Sequence, residues 1–174
     1  RHRAGRRGPR GPAGRLPVRR RRVLHGRAAD HFEAVAADLD EQSELLQKIA
    51  VVTLRRRADP EVRRFLHSTS KEVVAEAARA IHDDWSIPKA IPALASSLAT
   101  TQWIKNEGFI KRAINANFHL GTPEAATRVA DYTIRADAPE ELRLNALNAI
   151  SEWTKPDKLD RVVGRYRPLS DRDP

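Results

Sequence analysis

The sequence predicts an all-α fold: an α-α superhelix built as a short right-handed stack of about three helix pairs. Three observations carry this. From Asp30 onward Ala, Leu, Ile and Val recur at helical spacing, with no sustained apolar/polar alternation of the kind that marks strands. Only three of the eight glycines lie beyond residue 27, so little in that stretch interrupts a helix. And three apolar segments align without gaps at offsets of 36 and 33 residues, a spacing expected of stacked helical units.

Residues 1–27 differ from the rest. They hold eleven arginines, five glycines and three prolines, with no carboxylate and no aromatic residue. Such a segment buries too little apolar surface to offset its ordering entropy, and it is expected to be disordered. It also dominates the charge. The whole 174-residue chain carries 32 Lys+Arg against 23 Asp+Glu, a net of +9, yet residues 28–174 hold 21 basic and 23 acidic groups. The remainder is close to neutral, which excludes a uniformly basic nucleic-acid-binding fold. Two readings of the tail stand: an Arg/Gly arm binding phosphate backbones by charge, or an extended or misassigned upstream stretch, since GC-rich DNA yields these residues in almost any frame. The missing aromatics count against the first.

A helix is expected around Asp30–Leu39 and another over Glu44–Arg57, with Leu45, Ile49, Val52 and Leu54 inward. Asp59-Pro60 then stops the chain and starts a new helix, Pro being suited to a first turn where its missing N–H costs nothing. The repeated segments follow: KEVVAEAARAI (71–81), EGFIKRAINAN (107–117) and EELRLNALNAI (140–150). In register, Val73, Phe109 and Leu142 match, as do Ala77, Ala113 and Ala146, then Ala78, Ile114 and Leu147, then Ala80, Ala116 and Ala149. With Ala77 at 0° and about 100° per residue, these form one broad apolar stripe. Its alanines let neighbouring helices approach closely. A preceding helix repeats as well: PKAIPALASSL (88–98) matches TPEAATRVADY (122–132), and PEVRRFLHS (60–68) is a shorter version. One pair alone leaves half its apolar surface wet, whereas stacked pairs bury a continuous core. The domain reading is therefore a tail over 1–27, a repeat domain over 28–156 and a capping segment over 157–174. In that cap a half-helix of Leu159, Val162 and Val163 packs on the last repeat, and Tyr166 and Leu169 cover the open end.

The strings DPEVR (59–63), SKEVVAEAARAI (70–81) and APEELRLNALNAI (138–150) resemble the second-helix signature of HEAT repeats: a polar cap, Val or Leu, two small residues and a closing Ile or Leu. The period is shorter than the ~40–47 residues of long HEAT units and closer to the compact bacterial HEAT-like type. The resemblance covers roughly residues 40–155. Tetratricopeptide repeats share the period, but their Trp-Leu-Gly-Tyr pattern is absent. More narrowly, RAINANFHLGTPEAA (112–126) and SEWTKPDKLDRVVGRYRPL (151–169) look like the HEAT segment of large exported bacterial proteins, where a sorbosone-dehydrogenase-like propeller precedes the repeats and a c-type cytochrome domain often follows. That resemblance implies a linker module of an exported haem-binding parent and carries no catalytic residue onto this chain. The absence of any methionine, with Arg1 first, fits a piece of a longer protein.

The residues themselves suggest no reaction. There is no cysteine, which removes disulfides, thiol catalysis and Cys-ligated metal or haem within this chain. The six histidines (2, 25, 31, 67, 82 and 119) never fall at i, i+4 on one helix, so no metal site is predicted. His82 and Asp83 are expected at a helix end, where His can satisfy terminal carbonyls. Asp83-Asp84 diverge on a helix, no Gly-x-Ser-x-Gly occurs, and Gly121-Thr122-Pro123 reads as a helix stop, a cap and a restart. No apolar run approaches the ~20 residues that span a bilayer. No cofactor is predicted. The candidate interaction face is the polar side of the second helices: Glu76, Arg112 and Asn145 in one register, Arg79, Asn115 and Asn148 in another, with Asp83 and Glu152 near them. It reads either as a strip for a protein partner or a neighbouring domain of the same polypeptide, or as a plain solvated face. Trp85, Trp103 and Trp153 fall near helix ends, where they anchor a partner or, more often, close the gap between helix layers.

Overall fold

The computed structural model describes residues 43–99 and 105–172, and all of them belong to one compact unit. The tail, the helix expected around Asp30–Leu39 and Trp103 lie outside the described residues. The described chain is all-α with helix-on-helix packing: α1 (Glu44–Arg56), a 3-10 helix (Pro60–His67), α2 (Lys71–His82), α3 (Ile91–Ser96) flanked by 3-10 turns at Pro88–Ala90 and Ser97–Ala99, α4 (Glu107–Leu120), α5 (Pro123–Thr133) and α6 (Glu140–Ser151). No strand occurs among the described residues; the nearest thing is an isolated antiparallel bridge between Leu159 and Tyr166.

Local chemistry sets the boundaries. The side chains of Ser70, Asn106 and Thr122 accept hydrogen bonds from the backbone N–H of the third residue of α2, α4 and α5. Asp59 caps Glu61 N–H ahead of Pro60. The helix there is 3-10, which puts Val62 and Phe65, three apart, on one buried face. Residues 88–99 break into three short pieces because Pro92 has no N–H to return to the Pro88 carbonyl. Gly121 ends α4 at φ 65, in the left-handed region.

Two rows of helices result. The second helices run in order, α1 on α2, α2 on α4, α4 on α6. The first helices form the other row, Pro60–His67 against α3 and α3 against α5, each also packed on its own partner. Ala77, Ala113 and Ala146 are fully buried at the contacts, with Val73, Phe109 and Leu142 beside them.

Two expectations need correction. In α1 the inward residues are Gln47, Ala50, Val51 and Leu54, whereas Leu45, Ile49 and Val52 are 66%, 53% and 44% exposed. Ala50, Val51 and Leu54 form the covered face of α1, and Gln47 is buried with them because Ser68 Oγ donates to its Oε1 at 2.6 Å. Leu147 shares the register of buried Ala78 and Ile114 yet is 52% exposed, because no further helix among the described residues packs on that side of α6.

Candidate functional site

The densest convergence of titratable groups among the described residues lies where the chain after α6 runs back along the C-terminal ends of α2, α4 and α6. This stretch contains no helix, and its residues Leu159 and Tyr166 are 50% and 69% exposed, so the expected half-helix and apolar end-cover do not form. A small hairpin forms in its place. Arg167 N–H donates to Lys158 O at 2.9 Å, Asp160 N–H to Arg165 O at 2.7 Å, and Gly164 takes the positive φ at its turn.

Asp160 is the anchor of this strap, with a fully buried carboxylate. Val162 N–H and Val163 N–H each donate to Oδ1 at 2.9 Å. Oδ2 receives Asn115 Nδ2 at 2.9 Å and Arg167 Nη1 at 3.0 Å, with His119 Nε2 at 3.3 Å and His82 Nε2 at 3.5 Å. Burial pushes this carboxyl up. His119, the two backbone donors and His82 outweigh burial and hold it far below the usual carboxylate range. Asn115 Nδ2 also donates to His82 Nε2 at 2.7 Å, so the imidazole carries its proton on Nδ1 and donates to Asp83 Oδ1 at 3.2 Å. Asn115 Oδ1 stays buried without a partner.

Asp83 extends the cluster. Arg112 Nε and Nη2 grip its two oxygens at 2.7 and 2.8 Å, a forked pair joining α4 to the end of α2. Burial raises the Asp83 carboxyl, while His82 and Arg112 bring it well below normal. The strap's arginines then address carbonyls at the C-terminal ends of α2 and α4. Arg167 Nη2 donates to Asp83 O at 2.6 Å and Arg172 Nη2 to Phe118 O at 2.5 Å. A Cβ on Gly121 would stand 2.6 Å from Arg172 Nε, so this close approach needs glycine as much as the backbone angle does.

The two described tryptophans sit under these arginines. Trp85 adopts φ 60, a strained backbone for a bulky residue. Its ring lies 4.4 Å from that of His119, with the Arg167 guanidinium 5.1 Å above it. Trp153 meets Phe118 edge to face at 5.5 Å, with Arg172 5.0 Å from both rings. Both tryptophans are half-buried.

The eight residues of the predicted face therefore separate. Asp83, Arg112 and Asn115 come together in the buried cluster. Glu152 pairs with Arg161 of the strap, and Glu76 with Arg79 at the surface. Asn145 is half-buried and Asn148 exposed on α6. His119, Asp160, Arg167 and Arg172 were not anticipated. Their only signal was the Asx-turn tendency of Asp160, which marks a turn and says nothing of burial.

Chemically, the cluster is a clasp. Each Asp160 oxygen faces two or more donors, leaving no lone pair aimed at a void. Elsewhere, shallow grooves lie between helices, among them one of about 260 Å³ beside Leu98, Arg128 and Tyr132. Among the described residues no group of three His, Asp or Glu is arranged to hold a metal ion, and no helix is long and apolar enough to cross a membrane. No family model, curated protein or solved structure matches the chain.

Proposed function

We propose that this chain is a non-catalytic helical-repeat module of the HEAT-like type, a scaffold that positions protein partners or the neighbouring domains of a larger polypeptide. One observation carries the reading: the second helices pack in sequence order, with alanines at matched register (Ala77, Ala113, Ala146) fully buried at each contact. A neighbour-on-neighbour stack is the architecture of repeat proteins. The clasp supports the same reading, because its ionisable groups are engaged in holding helix ends together. Its parent would be the propeller-and-cytochrome type that residues 112–126 and 151–169 resemble. Sequencing the genomic flanks tests this. A reading frame continuing through both ends supports a module of a larger protein, and a start codon directly before Arg1 with a stop after Pro174 removes that part.

A second reading rests on the eleven arginines of residues 1–27, which lie outside the described residues. Charge-driven binding to RNA or DNA would weaken steeply with salt. Titrating nucleic acid into the full chain and into a chain lacking residues 1–27 decides it: affinity lost with the tail supports the arm, and no affinity in either form rejects it.

A further inference from the structure

We infer that copies of this chain stack head to tail, the α1 edge of one copy seating on the α6 edge of the next. The inference rests on the helical-repeat reading above and names a partner for its two ends.

The argument begins with which flank of each second helix is covered. Place Ala77 at 0° and step about 100° per residue. In the interior helices both flanks are buried. Val73 and Ala80 of α2, with Phe109 and Ala116 of α4, lie on the negative flank; Val74, Ala78, Ile110 and Ile114 lie on the positive flank; all are at most 1% exposed. α1 joins this register through its buried Gln47, Ala50, Val51 and Leu54, spaced like Val74, Ala77, Ala78 and Ile81. Its positive flank is covered, and its negative flank is open: Leu46 is 39%, Ile49 53% and Leu45 66% exposed. α6 is the reverse. Leu142 and Ala149 on its negative flank are at 3% and 0%, whereas Leu144 and Leu147 towards its positive flank are at 50% and 52%. Among the described residues the two missing neighbours are on opposite sides, as at the two ends of one stack.

The internal junctions show which position meets which. At each, the residue in the register of Ala75 on one helix faces the residue in the register of Glu72 on the next. Lys48 of α1 shares a groove and an electrostatic attraction with Glu72 of α2. At α2–α4, Ala75 stands against Gly108, where a Cβ would come within 3.6 Å. At α4–α6, Lys111 Nζ lies 3.3 Å from Glu141 Oε1. Each pair is matched, charge with charge or small with small. In the same register Leu144 is the unmet position on α6, and Leu45 is the unmet position on α1. The junction left over is leucine with leucine. A groove of about 240 Å³ lined by Thr133, Glu140, Arg143, Leu144 and Leu147 opens beside it, and Arg143 Nε there is buried without a partner.

Such a contact joins unlike faces, so it does not close at two copies, and association runs on into open chains. Sedimentation velocity of the full chain from micromolar to near-millimolar concentration tests it. The expected weight-average mass rises past the dimer without a plateau. Leu45→Glu and Leu144→Glu each lack one face, and each alone should sediment as a monomer with unchanged helical circular dichroism. Mixed, they should form a 1:1 dimer that grows no further. A monomer at every concentration overturns the inference, including the case where residues 28–42 of the same chain cover α1. A plateau at dimer that Leu45→Glu leaves untouched also overturns it, pointing to α6 on α6. The thermal melt of Ala113→Asp separates the two levels. If that variant is strongly destabilised while the chain stays monomeric, the repeat register stands and only the stacking falls; if its melt is unchanged, the register is wrong and both fall.

Discussion

Asp160 accepts four hydrogen bonds on its carboxylate, from Asn115, Val162, Val163 and Arg167. It is a buried carboxylate whose charge is balanced by Arg167 and whose oxygens are met by two backbone donors and an amide. Removing the charge while keeping the shape strands Arg167 and takes the carboxylate from His119, whose Nε2 lies 3.3 Å from Oδ2. Asp160→Asn should therefore cost about 3 kcal/mol at neutral pH, in the range measured when one partner of a buried pair is removed. The pH dependence follows from the lowered carboxyls of Asp160 and Asp83. A group whose pKa is depressed by folding stabilises the native state above its unfolded value, about 3.9 for Asp, and loses that contribution as pH falls toward the folded value. The chain should lose stability on acidification below about pH 4. Urea midpoints measured between about pH 5 and pH 2 should fall more gently in Asp160→Asn, with Asp83 supplying the slope that remains. Parallel slopes for the two proteins would show that the clasp is not what acid releases.

At the scale of the element, the repeated second helices were legible and the strap was not. α2, α4 and α6 each carry an apolar stripe that a helical period exposes, and their caps stand one residue ahead of the matched segments at Ser70, Asn106 and Pro139. For α1, choosing its largest apolar side chains gave the wrong face. The buried face is set by the register of Ala50, which places Gln47, Val51 and Leu54 beside it and leaves Leu45, Ile49 and Val52 exposed. The strap has no period at all. Its contacts join Asp160 to Asn115 over 45 residues and Arg167 to Asp83 over 84, and no local pattern encodes such pairings. The candidate face was legible in register only. The sequence placed Asp83, Arg112 and Asn115 near one another, and without the strap they read as a solvated surface. The register makes its own prediction. Ala113 is fully buried between helices while Ala130 on α5 is exposed. Ala113→Asp should lower stability by about 3–5 kcal/mol, the cost of an unpaired buried charge, and Ala130→Asp by less than about 0.5 kcal/mol. Similar melting temperatures for the two variants would contradict the packing.

At the scale of the whole molecule, the stack and the clasp make opposite demands on cooperativity. A row of helices in which each touches mainly its neighbours opens from its ends, because the outermost helix has one covered flank and the inner ones have two. Among the described residues α1 and α6 are the outer helices, and both expose leucines. The strap counters this at one end only. Through Asp160, Arg167 and Arg172 it ties the chain after α6 to the ends of α2 and α4, so α6 cannot leave without breaking buried hydrogen bonds. Native-state hydrogen exchange should therefore be asymmetric. Amides of α2 and α4 should exchange most slowly, those of α1 fastest among the long helices, and those of α6 nearer to α4 than to α1. Asp160→Asn should abolish that asymmetry, bringing α6 to the exchange rates of α1 while α2 and α4 slow or speed only with global stability. If α6 kept its protection in the variant, its packing on α4 and α5 alone would account for its stability, and the strap would be a passive covering of the helix ends.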